Sequence, residues 1–154
     1  MKVVITVNDS KWRGIKIDYQ NIANVVFKSI GAQSKYKDSE ISLVLTDDSE
    51  IKELNKKYRK INKPTNVLSF ESGDKDLLGD IFISIDTVEV ESREQKAESK
   101  DKKIINHTSH LFVHGILHLI GYDHLTDSDA NKMENLEIKI LAKLEMCIRD
   151  RVRK

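Results

Sequence analysis

With a single cysteine, Cys147, the chain cannot close an internal disulfide, which suits a reducing compartment. No apolar run approaches the ~18 residues that a membrane helix needs. The start, MKVVITVNDS, lacks the basic region, apolar core and small-residue cleavage site of a secretory leader. A cytoplasmic protein without a membrane partner is therefore expected. Charge of one sign is lacking too: 26 Lys+Arg against 25 Asp+Glu leave a net charge of +1. Attraction to a polyanion must then come from local clusters of charge rather than from the field of the whole molecule. Internal repeats and low-complexity linkers are also absent.

What is present fits one domain, since 154 residues can bury about two-thirds of their unfolded surface. The domain is expected over residues 1–145. The segment MCIRDR, residues 146–151, is what a sequencing-transposon end beginning ATGTGTATAAGAGACAG would encode, so residues 146–154 are expected to be a non-native tail, with a frayed terminus carrying a few basic residues as the plainer alternative, and no function is assigned to them. Resequencing the source locus tests this, and an uninterrupted natural reading frame through the segment would refute it.

Residues 3–7 are short, β-branched and apolar, a strand pattern. Asp18 can cap a helix that turns Ile22, Val25, Val26 and Ile30 toward a core and stops at Gly31. A second strand over 41–45 leads to Asp47 and Asp48 at the start of a helix with Ile51, Leu54 and Tyr58 at helical spacing. The only proline, Pro64, fixes the chain direction before a strand over 67–70. A polar turn over 71–76 and Gly79-Asp80 lead to a strand over 81–85. A helix is expected from about 87 to 97, and another from about 103 to 120. The latter is apolar over so much of its circumference (Ile105, Phe112, Val113, Ile116, Leu117, Leu119, Ile120) that it must be buried. Gly121 ends it, and Thr126 with Asp129 resembles a capping box for an amphipathic helix over 128–144. The order of elements predicts an α+β single domain with a small mixed four-stranded sheet backed by about five helices.

The buried helix carries the chemistry. His114 and His118 are four apart, so their rings project from one face one turn apart, where both can reach one ion. Gly121 breaks the helix and lets His124 fold back. Three neutral imidazoles leave a fourth tetrahedral position for water, the mark of a catalytic rather than a structural zinc. A metal there can lower the water's pKa to about 7. Core histidines with ordinary hydrogen bonds, or a solvated stripe, are the plainer alternatives. Burying several imidazoles on an apolar helix is costly unless each finds a partner, and one metal supplies a partner to three. One Zn2+ per chain is expected, although imidazole sites also accept nickel, copper or iron. His107 and His110 extend the stripe. Either could support a ligand from behind or face RNA, and either could equally be a surface or helix-packing residue.

The spacing His-xxx-His-xx-Gly-xx-His also matches the metzincin zinc proteases. Those carry a glutamate directly after the first histidine as general base, whereas Gly115 follows His114 and has no side chain with which to move a proton.

The stretch HGILHLIGYDH (114–124), with LNKKYRKINKPTNVLSF (54–70) and LGDIFIS (78–84), resembles the YbeY family of endoribonucleases, the three blocks standing in family order and spacing. The resemblance covers most of the chain to about Leu144. It implies a single-strand-specific, metal-dependent endoribonuclease of bacteria or organelles, acting in 3′-end maturation of small-subunit (16S) ribosomal RNA and in ribosome quality control. Its partners are then single-stranded RNA, small-subunit rRNA and the ribosome, and a monomer is expected. The match carries a metal role onto His114, His118 and His124 and a catalytic or RNA-binding role onto Arg59. A planar guanidinium can stabilise the negative charge that builds on phosphoryl oxygens during cleavage. Without the match, Arg59 reads as an exposed helix charge.

Lys56, Lys57, Lys60 and Lys63 could hold an RNA backbone, or form a solvated helix face. Tyr58, Phe70 and Tyr122 are candidates for base stacking, with core packing as the alternative. Asn62 and Glu71 depart from the usual family block and put the local loop conformation in doubt. Thr65, Asn66 and Ser69 could hold that loop near the metal or simply form a turn. Asp80 could orient a ligand histidine from behind or cap a strand. Two rival readings stay open, a zinc metallopeptidase and a non-catalytic ribosome assembly factor with a structural metal.

Overall fold

The computed structural model describes residues 1–153 apart from Lys75 and His124, with side chains described through Glu145. Four strands, β1 (Lys2–Val7), β2 (Glu40–Thr46), β3 (Val67–Glu71) and β4 (Leu77–Ser84), form one sheet in the order β1-β2-β4-β3. β1, β2 and β4 are parallel, and β3 runs antiparallel to β4 on the edge, so the expected mixed sheet is found. The helices are α1 (Tyr19–Ser29), α2 (Asp48–Arg59), α3 (Ile85–Ser92), α4 (Lys100–Leu119) and α5 (Asp127–Arg153).

The predicted caps start three of these helices. Asp18 accepts from Asn21 N at 3.0 Å, Asp47 from Glu50 N at 3.0 Å, and Thr126 Oγ1 from Asp129 N at 3.1 Å. Ser99 does the same for α4, accepting from Lys102 N at 3.1 Å, so that helix begins at Lys100 rather than near 103. β4 and α3 differ from expectation. The strand begins at Leu77, ends at Ser84, and hands over at once to α3, whose first residue, Ile85, is fully buried. α3 stops at Ser92 instead of near 97, because beyond the exposed Val90 the sequence offers no large apolar residue to hold a further turn on the core.

Strand parity sorts the side chains onto two faces. Ile41, Leu43 and Leu45 of β2 pair with Gly79, Ile81 and Ile83 of β4, and this face carries the main core with α1, α4 and α5. On the opposite face α2 packs on β3 and β4, where Ile51, Val44 and Leu68 are buried and Tyr58 meets Phe70 at 5.3 Å between ring centroids. Two glycines let α4 lie close to the sheet. A Cβ on Gly79, at φ +156°, would stand 2.1 Å from the Phe70 carbonyl oxygen and 2.7 Å from Leu119 Cδ2. A Cβ on Gly115 would stand 3.1 Å from both Ile81 Cγ2 and Ser69 Oγ. No helix among the described residues is long and apolar enough to cross a membrane.

A histidine and carboxylate centre between two helices

The burial of Ile104, Thr108, Leu111, Phe112, Val113, Gly115, Ile116, Leu117 and Leu119 leaves α4 one strip where polar rings can stand, and His107, His110, His114 and His118 occupy it. The strip splits by partner. His107 Nε2 is 2.8 Å from Glu91 Oε1 on α3, and Glu91 also accepts from Asn66 Nδ2 at 3.0 Å. Of the two readings open for His107, the one found is joinery: it ties α4 through α3 to the start of β3.

His114 and His118 face each other, Nε2 to Nε2 at 3.0 Å, with ring centroids 4.5 Å apart and planes at 76°. Behind them stands Glu137, buried at 6% exposure on α5. Its Oε1 bonds His114 Nδ1, and its Oε2 lies 3.1 Å from His110 Nε2. A ring that donates Nδ1–H to a carboxylate keeps its Nε2 lone pair free to accept or to ligate. Burial alone would raise the Glu137 carboxyl, but the hydrogen bonds and charge of His110 and His114 more than offset it and hold it down at about 2.

This donor set fits a divalent cation. Two nitrogens bound tetrahedrally to zinc at ~2.05 Å lie about 3.3 Å apart, so the 3.0 Å pair is within a few tenths of an ångström of that spacing. On the Glu137 side of His114, away from His118, a groove of about 380 Å³ is lined by His110, His114, Ala130, Met133, Glu134, Glu137 and Ile138. The third predicted ligand, His124, lies outside the described residues. Before it, α4 ends with Gly121 at φ +103°, its N–H donated to the His118 carbonyl at 3.2 Å. Among the described residues no group of three His, Cys, Asp or Glu side chains completes a metal cage. His110 is directed to Glu137, behind the pair rather than beside it.

Arg59 lies at the end of α2, over the opposite face of the sheet from α4, with Nη1 3.4 Å from Asn55 Oδ1. Asn55 is buried and donates Nδ2–H to the Lys63 carbonyl at 2.9 Å, which fastens the following loop to the helix. Lys60 ends α2 in the left-handed conformation, φ 58°. Lys57 Nζ sits 5.1 Å over the Tyr58 ring, and Tyr58, Arg59, Lys60 and Lys63 are exposed beside the edge strand β3. Across that edge, Ser69 Oγ donates to the Gly115 carbonyl at 3.2 Å, joining β3 to the turn of α4 that bears His114.

Asp80 does not join the histidines. It pairs with Phe70 in the sheet and shares the face of Phe82 under α2, whereas its neighbour Ile81 faces α4. Phe70 and Tyr122 are both partly buried, Phe70 against Tyr58 and Phe82 and Tyr122 against the main core, so packing is the role found for each. Position 115 points into the sheet at Ile81 and Ser69, with no room for a catalytic glutamate. Glu137 went unread in the sequence. Its signal was its place on the apolar stripe Met133, Glu137, Ile140, Leu144, where a carboxylate needs a partner.

The fold and site define a class: a small α+β protein with a facing imidazole pair and a buried carboxylate behind it, suited to a divalent cation. A family model described as "Endoribonuclease YbeY" matches residues 5–145. The chain belongs to the YbeY family. It is similar to the endoribonuclease YbeY of Wolbachia pipientis from Culex pipiens, 44% identical over 149 residues that cover 92% of this chain and 93% of that one. The corresponding protein of Bartonella henselae is 42% identical over 151 residues, covering 92% of each. A solution structure of a Thermotoga maritima protein matches with a TM-score of 0.60 at 26% identity, covering 97% of this chain and 93% of that one.

Proposed function

We propose that this protein is an endoribonuclease that cuts single-stranded RNA, with one divalent metal, zinc in the first instance, held by His114, His118 and His124. The observation that carries the reading is the His114–His118 pair, Nε2 to Nε2 at 3.0 Å, with His114 backed by Glu137. When bound, the metal supplies Lewis acidity toward a phosphoryl oxygen or a water.

The chain's own groups do the rest. Arg59 offers parallel N–H donors to the phosphoryl oxygens on which charge builds, and its tether to Asn55 limits its wandering. Lys57, Lys60 and Lys63 hold the strand's phosphates, and the exposed Tyr58 ring can take an unstacked base. Family membership extends the reading to the 3′ region of small-subunit rRNA as substrate and to the ribosome as partner.

The test is Arg59→Ala beside His118→Ala. Arg59→Ala should lower cleavage of a single-stranded RNA by ~10²–10³-fold with metal content and melting temperature unchanged. His118→Ala should lose both metal and cleavage. Full cleavage by either variant, or cleavage of peptides by the wild type, would overturn the reading.

A further inference from the structure

Glu137 lies outside the three sequence blocks that point to the family, yet it is the buried acid closest to the centre of the site. Its helix face is otherwise apolar, with Met133, Ile140 and Leu144 buried alongside it. A carboxylate in such a place is disfavoured unless both oxygens are satisfied. Both are, and by one strip of one helix: Oε1 takes His114 Nδ1 and Oε2 takes His110 Nε2. Because those histidines are four residues apart on α4, one planar carboxylate spans the two turns and fixes the rotation of both rings.

We propose that Glu137 is the positioning residue of this centre, its carboxylate holding His114 in the tautomer that presents Nε2 toward His118 and toward a shared cation. The inference rests on the metal reading given above. Negative charge behind an imidazole also makes the ring a better ligand, and losing such a partner costs 10–100-fold in metal affinity as a rule. The same geometry gives His110 its task. With Nε2 on Glu137 Oε2, it holds the carboxylate in plane from its far side instead of ligating. A carboxylate that only pinned α5 to α4 would need neither a specific ring nitrogen nor two histidines.

The experiment compares wild type with Glu137→Gln and Glu137→Leu. Affinity for Zn2+ alone is measured by competition with a chromogenic chelator, and the His114 tautomer is read from imidazole 15N shifts of the metal-free protein. Glu137→Gln keeps an oxygen that accepts His114 Nδ1–H but removes the negative charge, so it should hold the same tautomer and bind Zn2+ about 10-fold more weakly, with the melting temperature within a few degrees of wild type. Glu137→Leu removes the acceptor as well as the charge, so it should bind Zn2+ about 10–100-fold more weakly and lose the single His114 tautomer, with a lower melting temperature because the His110 and His114 rings are left unpaired. Wild-type Zn2+ affinity in either folded variant, or an unchanged tautomer in folded Glu137→Leu, would overturn the inference alone. A wild-type protein whose Zn2+ binding is indifferent to His118→Ala would overturn the metal reading and this inference with it.

Discussion

Gly115→Ala puts the close approach of α4 to the sheet to a quantitative test. In the middle of a helix, alanine is favoured over glycine by about 1 kcal/mol, so an open position would gain stability. Position 115 is not open. The added Cβ would meet Ile81 Cγ2 at 3.1 Å, Ile81 Cδ1 at 3.2 Å and Ser69 Oγ at 3.1 Å, each a few tenths of an ångström inside a comfortable contact. Ile81 is fully buried on β4, between β2 and β3, and cannot retreat without moving the sheet. Ser69 can rotate away only by giving up its bond to the Gly115 carbonyl, about 1 kcal/mol. Overpacking of this kind costs about 1–3 kcal/mol. Set against the propensity gain, the net is a loss of about 2 kcal/mol, or about 4–8 °C in melting temperature for a domain of this size. Urea and thermal unfolding measure it. Gly14→Ala, where the new Cβ meets nothing within 4 Å, is the control and should be neutral or slightly stabilising. A Gly115→Ala protein as stable as wild type would refute the packing of α4 against Ile81.

Three further outcomes are expected. The hydrogen bond from Lys11, and then the one from the Asp48 backbone N–H, hold the Asp86 carboxyl below the ordinary carboxylate range. The folded state therefore binds this proton less readily than the unfolded chain. The stabilisation is complete above about pH 5 and is lost as the pH falls below about 4 toward the folded value. Asp86→Asn should flatten the acid side of a melting-temperature profile from pH 7 to 2.5, and identical profiles would show that the pair does not act. Lys60→Gly should raise stability by about 1 kcal/mol in urea unfolding, because φ 58° strains a residue with a Cβ. The same variant should weaken single-stranded RNA binding and reduce its log–log salt slope by about 1, and an unchanged slope would remove Lys60 from the RNA path. Chelation should abolish RNA cleavage while leaving a cooperative melt, since the main core is built without the histidines. Unfolding on chelation would instead favour a structural metal.

Much of this molecule is legible in the sequence where the signal is local. Asp18, Asp47 and Thr126 announce their helices because a cap is a contact over three residues. The four-residue spacing of His114 and His118 likewise survives translation into space, as a facing pair. What escaped was set by pairing between distant segments. Parity alone places Asp80 opposite Ile81, but which side of the sheet receives α4 depends on the crossovers from β2 to β4. The partnership of Glu137 with His114 spans 23 residues and exists only once α5 has docked. Asn55 lay on the apolar stripe of α2, yet its acceptor, the Lys63 carbonyl, belongs to a loop whose path the sequence does not specify.

The separation between His114 and Glu137 also has a meaning in time. A ribosome adds about 5–20 residues per second, so the 23 residues between them take roughly one to five seconds to make. During that interval the imidazoles of α4 exist without the acid that orients them. On the reading proposed here, a chain still being synthesised is a poor metal binder, and cutting power arrives with the last helix. Imidazole spectra of stalled chains ending before Glu137 would check this, and a single fixed His114 tautomer in them would contradict it.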